Sequence, residues 1–353
     1  MKQETNKKTV LWWGRFDADY ARNRIMRQAF TSLGWRIIDF RPGISALAAL
    51  EATLRAVKAP DLIWLPAFRQ RDVLAAAQWA RGKNIPLVFD PMISAYDKQV
   101  FERRKFPVES KQAKKLLDWE GKCFNAADIV IADTAAHADF FEEMFNLAAN
   151  KIKVVTLGAE DTLFYPAPMV EKSPRQPFEV LFFGSFIGLQ APEIIVAAAK
   201  ICTAPVQWAF VGDGPLRKTC EADAGDHSSI SFSGYLPYAD LPARIHQADV
   251  LLGIFGTSDK AARVIPNKVY QSLASGRTVI TRQSSAYPEA ETQGLLQIPP
   301  GDPEALALAV QQLYDRREDL PARGDAARLY YDRFFSNENR EGQLAALLDG
   351  FAA

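Results

Sequence analysis

The residues best suited to chemistry lie in a segment that ends at Gly276, where two cations flank a Pro-Asn step. Arg263 precedes Pro266 and Asn267, and Lys268 follows them. Proline fixes φ near the helical value and glycine often ends a helix, so the segment is expected to form a short helix. Free N–H groups at a helix N-terminus, with two cations nearby, favour an anion, and we predict a diphosphate site. A surface helix with two solvated charges is the alternative.

Apolar runs of strand length alternate with helical patterns along most of the chain. The runs are rich in branched and aromatic residues without strict alternation, which is typical of strands buried on both faces of a parallel sheet. The predicted strands are Thr9–Trp13, Arg36–Phe40, Leu62–Leu65, Pro86–Phe89, Ile129–Ala132, Lys153–Thr156, Val180–Phe183, Gln207–Val211, Ile230–Phe232, Val250–Ile254, Thr278–Thr281 and Leu295–Ile298. Helical patterns such as Ala21–Leu33 and Lys111–Asn125 lie between them. The sequence therefore predicts an α/β protein with two doubly wound, Rossmann-like domains.

Four prolines between Tyr165 and Pro177 indicate a linker between the two halves. We predict a first domain over 1–165, a linker over 166–178 and a second domain over 179–335. The binding site is expected at the carboxyl ends of strands, in a cleft.

The composition narrows the class of protein. The 353 residues are 48% hydrophobic and carry 42 basic and 42 acidic side chains, so no net field attracts nucleic acid. Three scattered cysteines, Cys123, Cys202 and Cys220, fit a reducing compartment. The first residues lead into too few apolar positions for a signal peptide or a membrane span, and a cytoplasmic location is expected.

An ordered series of motifs resembles the retaining glycosyltransferases of the GT-B fold, specifically glycosyltransferase family 4. The motifs are Gly14–Phe16, Tyr20–Arg24, Ala127–Thr134, Val155–Ala159, Phe182–Phe186, Phe210–Pro215, Ile230–Leu236, Ala248–Leu252 and Ile265–Gly276. The resemblance implies two Rossmann-like domains that face a central cleft, with a helix over 336–353 that crosses back to the first domain. It also implies that a sugar passes from a nucleotide-diphosphate sugar to a hydroxyl of a glycan or lipid-linked acceptor with retained configuration. Bacterial cell-surface glycan or glycolipid assembly is the expected setting.

The resemblance assigns donor-binding roles, mostly at strand ends. The positions are Gly14, Gly184, Ser185, Gly212, Asp213, Gly234, Tyr235, Leu236, Asn267 and Gln271. Backbone N–H groups of Gly184 and Ser185 are expected to meet the diphosphate, since glycine permits close approach. Family members carry a cation shortly after this glycine, whereas this chain continues to Gln190 without one. Arg263 and Lys268 must therefore supply the positive charge.

Gln271 departs from the family pattern. Family members place a glutamate here to accept hydrogen bonds from the ribose, and its partner glutamate would fall at Arg263. A glutamine keeps one acceptor but loses the charge-assisted bond, a difference of roughly 1 kcal/mol. Two outcomes stay open: an active enzyme with weaker nucleotide binding, or a non-catalytic relative that binds nucleotide or glycan as a partner subunit.

Retaining GT-B enzymes need no enzyme nucleophile, so the resemblance gives catalysis to cations and positioning groups. Arg263 and Lys268 would stabilise the leaving diphosphate, and Asp90 and Asp97 would orient an acceptor or sugar hydroxyl. The alternative for Asp90 is a cap of its own turn. No metal or cofactor is expected: the Asp-x-Asp at Asp17 follows the first strand, and the three histidines lack ligand spacing.

The run 98–122 is locally basic, with eight lysines and arginines against four acidic residues. A solvated helical face is one interpretation. Peripheral contact with anionic lipid, which suits a lipid-carried acceptor, is the other.

Overall fold

The structure is a computed structural model that describes residues 7–168, 177–288 and 292–351. The chain divides into two compact units, one of residues 1–157 with 340–353 and the other of 158–339. Most of the predicted linker, residues 169–176, lies outside the described residues.

The first unit contains a six-stranded parallel sheet of order β2-β1-β3-β4-β5-β6. Its strands are β1 (Thr9–Trp13), β2 (Arg36–Phe40), β3 (Leu62–Leu65), β4 (Leu87–Phe89), β5 (Ile129–Ala132) and β6 (Ile152–Val154). The helices between them are α1 (Ala21–Ser32), α2 (Ala48–Leu54), α3 (Val73–Arg81), α4 (Lys111–Ala126) and α5 (Ala135–Phe145). The central strands are apolar along their whole length because helices cover both faces of the sheet. The order reverses between β1 and β3, which makes that edge a topological switch point.

The second unit contains another six-stranded parallel sheet, of order β12-β11-β10-β7-β8-β9. Its strands are β7 (Phe178–Phe183), β8 (Val206–Val211), β9 (Ile230–Ser233), β10 (Val250–Leu252), β11 (Thr278–Arg282) and β12 (Leu295–Ile298). Its helices are α6 (Pro192–Ile201), α7 (Arg217–Ala224), α8 (Leu241–Gln247), α9 (Asp259–Arg263), α10 (Asn267–Ala274), α11 (Pro303–Asp315) and α12 (Leu320–Phe334). Numbered within the unit, the order is that of dinucleotide-binding sheets, with the switch point between β7 and β10.

The last helix, α13 (Asn337–Asp349), supplies apolar side chains to the first unit. Leu344, Leu347 and Leu348 are buried in one cluster with Val10 and Trp12 of β1. These leucines therefore cover the face of the sheet that α1 also covers.

The predicted fold class is confirmed: each unit is a doubly wound α/β sheet. All twelve predicted strands are present in chain order, and their bounds agree with the structure to within two residues.

Candidate functional site

The segment that opened the sequence analysis forms the expected short helix, α10. Pro266 is its N-cap rather than its first helical residue, because its ψ of 151° is extended. Gly276 follows the helix at φ +64°, a left-handed conformation that glycine adopts without strain. Lys268 lies in the first turn, whereas Arg263 is the last residue of a separate helix, α9. Extended residues therefore separate Arg263 from α10, and Lys268 is the member of the pair that lies within this helix.

Lys268 is a buried lysine whose ammonium contacts a polar and an aromatic side chain. Its Nζ donates to the Oε1 of Gln190 at 2.6 Å and lies 3.7 Å from the ring centroid of Phe182. The side chain is 5% exposed, and burial lowers the pKa of the ammonium well below its usual value. Among the described residues, no carboxylate pairs with it. A buried charge without a counter-ion is costly, so this position favours an anion from outside the chain.

Gly184 lies directly beside this ammonium. It follows β7 at φ +135°, and a Cβ here would lie 3.1 Å from the Lys268 Nζ and 3.0 Å from the Gln190 Oε1. Any larger side chain would occupy the space over the cation. The backbone prediction needs a correction: the N–H of Gly184 donates to the carbonyl of Val211 at 2.9 Å, so it serves strand pairing.

The loop after β8 packs directly on the loop after β7. Gly212 has φ +129°, and a Cβ there would lie 2.1 Å from the carbonyl oxygen of Gly184. Phe186 donates its N–H to the carbonyl of Asp213 at 3.0 Å. The exposed Asp213 carboxylate accepts from the N–H of Gly214 at 2.7 Å. The predicted positions Gly184, Gly212 and Asp213 therefore lie together, in two loops that support each other.

The loop after β10 contacts the segment that follows β7. Phe255 donates its N–H to the carbonyl of Gln190 at 3.2 Å, and a Cβ on Gly256 would meet the Leu189 carbonyl at 2.6 Å. Arg282 at the end of β11 donates to the carbonyl of Gly256 at 2.6 Å. Sequence reasoning missed Arg282 because its contacts join segments distant in the chain. The ends of β7 and β10, on either side of the switch point, thus meet around Gln190.

Gln271 faces a carboxylate that the sequence did not associate with it. Its Nε2 lies 3.5 Å from the Tyr238 hydroxyl, which donates to the Oε2 of Glu160 at 2.5 Å. Gln271 is buried and Tyr238 is partly buried. Glu160 follows the motif at Val155–Ala159 by one residue, and only the fold brings it to α10. A negative charge is therefore near Gln271, although position 271 itself has none.

The remaining donor-binding positions are more open. Tyr235 is 81% exposed in the loop after β9, with Gly234 exposed and Leu236 half-buried beside it. Ser185 is exposed after β7, and Asn267 is half-buried at the start of α10. Gly234, Tyr235 and Leu236 thus follow β9, which pairs with β8, while Ser185 follows β7 beside Gly184.

The first unit holds the other predicted residues. Asp90, after β4, accepts from the Nε of the fully buried Arg22 at 2.8 Å, and burial raises the pKa of the Asp90 carboxyl. Arg22 also donates to the carbonyls of Val155 and Thr156. This network favours a role for Asp90 in shaping the carboxyl edge of the sheet.

Asp97 and Gly14 are also buried in the first unit. Asp97 lies in a helical turn whose start is held by Glu120, which accepts from Ser94 and from the N–H of Tyr96. Burial raises the pKa of the Glu120 carboxyl, and the nearby Asp97 adds to this. Gly14 has φ +128°, and its N–H donates to the carbonyl of Phe40. The roles predicted for these two positions, orientation of a hydroxyl by Asp97 and donor binding by Gly14, stay predictions.

No group of three or more metal-ligating side chains occurs in the part of the chain that the structure describes. In the Asp-x-Asp motif, Asp17 accepts from the N–H of Asp19, which closes a local turn. A cavity of about 1060 Å³ lies between β11, β12 and α11, and none of the predicted site residues is among the described residues that line it.

Comparison with known proteins finds a family model that matches part of the chain and solved structures that resemble nearly all of it. Residues 177–316 match the family model described as glycosyl transferases group 1. The whole chain resembles solved structures at low identity. HepE from Anabaena in complex with UDP is 16% identical, with 97% of this chain and 100% of that chain covered and a TM-score of 0.72. Sucrose-phosphate synthase from Thermosynechococcus elongatus is 18% identical, with 98% of each chain covered and a TM-score of 0.75.

A glycosyltransferase from Rickettsia africae is 13% identical, with 98% of this chain and 99% of that chain covered and a TM-score of 0.70. No curated protein sequence matches the chain. The comparisons confirm the GT-B fold and the resemblance to its glycosyltransferases, and the family match falls on the unit that holds Lys268.

Proposed function

We propose that this protein transfers a sugar from a nucleoside-diphosphate sugar to a hydroxyl acceptor. The observation that carries the proposal is the buried Lys268 ammonium beside Gly184. It lies at the switch point of a sheet whose strand order is that of dinucleotide-binding sheets. Ligands of open α/β sheets bind outside the carboxyl ends of strands at such points. A diphosphate would supply the counter-charge that Lys268 lacks among the described residues. The match to glycosyl transferases group 1 supports the same class of reaction.

In the proposed reaction the bond between the anomeric carbon and the diphosphate oxygen breaks, and a bond to the acceptor oxygen forms. Negative charge grows on the leaving diphosphate, where Lys268 stabilises it in a site of low dielectric. Arg263, at the end of α9, is the second cation we assign to this task. The acceptor proton passes to the leaving diphosphate on the same face of the sugar, so the configuration is retained.

We propose UDP as the first nucleotide to test, because HepE was solved with UDP and with UDP-glucose. The setting we propose is cell-surface glycan or glycolipid assembly. A lipopolysaccharide outer core galactosyltransferase, WaaB, has the same fold at 13% identity and a TM-score of 0.67, with 96% of this chain and 99% of that chain covered.

The test is to incubate the protein with a panel of nucleotide sugars and measure released nucleoside diphosphate, first without an acceptor and then with saccharide and glycolipid acceptors. NMR of the product reports its anomeric configuration. Lys268→Ala is expected to slow turnover by roughly 10²–10³-fold. The lysine of α6, Lys200, whose Nζ donates to the Asp223 carbonyl, provides the matched control Lys200→Ala. Full turnover in Lys268→Ala would contradict the proposal.

A second candidate is a non-catalytic relative that binds nucleotide or glycan as a partner subunit. The observation that favours it is Gln271, which stands where family members carry a glutamate. Calorimetry separates the two: nucleotide binding without turnover, under every donor and acceptor in the panel, would support the second candidate.

We also propose peripheral contact between residues 98–122 and an anionic membrane. Most cations of this run are exposed, and Phe101 and Val108 add exposed apolar groups. No helix among the described residues has the length and apolarity needed to cross a membrane. Sedimentation with vesicles containing phosphatidylglycerol tests the contact: salt-sensitive binding supports it, and equal binding to neutral vesicles contradicts it.

A further inference from the structure

The first unit has a cavity of about 600 Å³ that none of the donor-binding predictions uses. It opens between the loop after β3, the helical turn that contains Gln99, and α4. Its lining includes Phe68, Arg69, Gln70, Arg71, Gln99 and Trp119.

The cavity lies at the carboxyl edge of its sheet, next to the switch point between β1 and β3. Arg69 connects the loop after β3 to the loop after β1. Its Nη1 donates to the carbonyl of Arg15, after β1, at 3.0 Å, and its Nε donates to Asp72 at 2.6 Å. A Cβ on Gly14 would lie 2.9 Å from the Arg69 Nε. The place in the fold is that of a ligand site, by the same rule that applies to the second unit.

Backbone strain is concentrated at the rim. Phe68 and Met92 both have φ +64°, although neither is glycine, and the N–H of Phe68 points to the carbonyl of Pro91 at 3.3 Å. Such conformations are unfavourable for residues other than glycine and cluster at ligand sites. Phe68 lines the cavity and is 42% exposed.

The charge of the lining is positive. Arg69 is neutralised by the buried Asp72, but Arg71 is exposed and pairs with no carboxylate in the part of the chain that is described. No aspartate or glutamate is among the described residues that line the cavity. A guanidinium with free donors favours carboxylate or phosphate, which it can bind through two parallel hydrogen bonds.

We propose that this cavity binds an anionic saccharide, with Arg71 on the carboxylate or phosphate and the faces of Phe68 and Trp119 against the sugar ring. An aromatic face offers a flat apolar surface with negative charge above it, which suits the C–H face of a sugar. That this saccharide is the acceptor rests on the proposed function; that the cavity binds it does not.

The test is calorimetric titration of the full chain with four probes: methyl glucoside, glucuronic acid, glucose 6-phosphate and inorganic phosphate. We expect one of the two anionic sugars to bind at least about tenfold more tightly than the neutral sugar and than inorganic phosphate. Which of the two binds distinguishes carboxylate from phosphate. Equal affinity for methyl glucoside would overturn the role of the anion, and equal affinity for inorganic phosphate would overturn the role of the sugar.

Variants locate the binding. Arg71→Ala is expected to lower the affinity for the anionic sugar by about tenfold or more, whereas Arg81→Ala, at the far end of α3, should not change it. Phe68→Ala is expected to weaken binding of the sugar, with Leu74→Ala, an α3 residue of similar exposure outside the lining, as its control. Arg71→Ala with unchanged affinity would overturn the assignment.

Titration of the same samples with UDP keeps the two proposals apart. If UDP binds but Arg71→Ala does not affect any saccharide, the cavity proposal fails and the proposed function stands. If an anionic sugar binds through Arg71 but no nucleotide binds or turns over, the cavity proposal stands and the proposed function fails.

Discussion

At the scale of residues, the proposed chemistry depends on Lys268, a lysine that the protein buries without a carboxylate partner among its described residues. Because burial lowers the pKa of Lys268, the folded protein holds fewer protons than the unfolded chain at pH values between the lowered pKa and about 10.5. Stability of the unliganded protein therefore rises with pH across that window. A bound diphosphate acts in the opposite direction, because it favours the charged form.

We expect UDP binding to take up protons from the buffer between the lowered pKa of Lys268 and about 10.5. Calorimetry in buffers of different ionisation enthalpy, above pH ~8, measures this uptake free of the phosphate, whose second pKa is about 6. Affinity is expected to fall as pH rises through the window, since charging the lysine then costs more. The same uptake in Lys268→Met would contradict the assignment of the proton.

The neighbourhood of Gln271 changes the expectation for its glutamate variant. Restoring the family residue by Gln271→Glu would place a second carboxylate on the Tyr238 hydroxyl that already donates to Glu160. We expect a gain in UDP affinity of about tenfold or less, and a larger gain in Gln271→Glu with Glu160→Gln than in the single variant. A double-mutant cycle by calorimetry measures the coupling. Additive effects would show that Glu160 does not act on position 271.

At the scale of elements, the site depends on the close approach of the loops after β7 and β8. Gly212→Ala is expected to lower the free energy of unfolding by about 3 kcal/mol or more, because a Cβ would strike the Gly184 carbonyl at a backbone angle that alanine avoids. Gly188→Ala, where no atom lies within 4 Å, is the control and should stay within about 0.5 kcal/mol. Urea denaturation measures both. Equal stabilities would mean that these loops can separate without cost.

The strands were predictable because helices cover both faces of each sheet, so that stretches such as Leu62–Leu65 and Leu87–Phe89 are apolar runs with clear ends. The bounds of α10 were also predictable, because a Pro-Asn step before the helix and a glycine after it set the local backbone conformation. The surroundings of the site were not. Gln190, Glu160 and Arg282 reach it through contacts between distant segments, and no local pattern encodes such contacts. The cavity lined by Arg71 was not predicted, because its lining also comes from segments distant in the chain.

At the scale of the whole molecule, we propose ligand sites at the switch points of both parallel sheets, each beside an arginine or lysine that lacks a described carboxylate partner. The net charge of zero means that attraction of an anionic substrate must come from these local sites and not from a global field.

We propose that positive charge from side chains takes the place of a divalent ion at the diphosphate, and we expect sugar transfer to continue in excess EDTA. The measurement is turnover with and without chelator, followed by addition of magnesium or manganese. Loss of turnover that either metal restores would show that the electrophile is a metal ion and not Lys268.

The central claim, that Lys268 binds the donor diphosphate, is tested most directly by calorimetric titration of UDP against the native protein, Lys268→Met and the control Lys200→Met. Methionine keeps the bulk of the side chain and removes the buried charge. The Tm of Lys268→Met should therefore be no lower than that of the native protein. We predict that this variant loses UDP affinity by about 100-fold while Lys200→Met keeps it. A folded Lys268→Met protein that binds UDP as tightly as the native chain would contradict the claim.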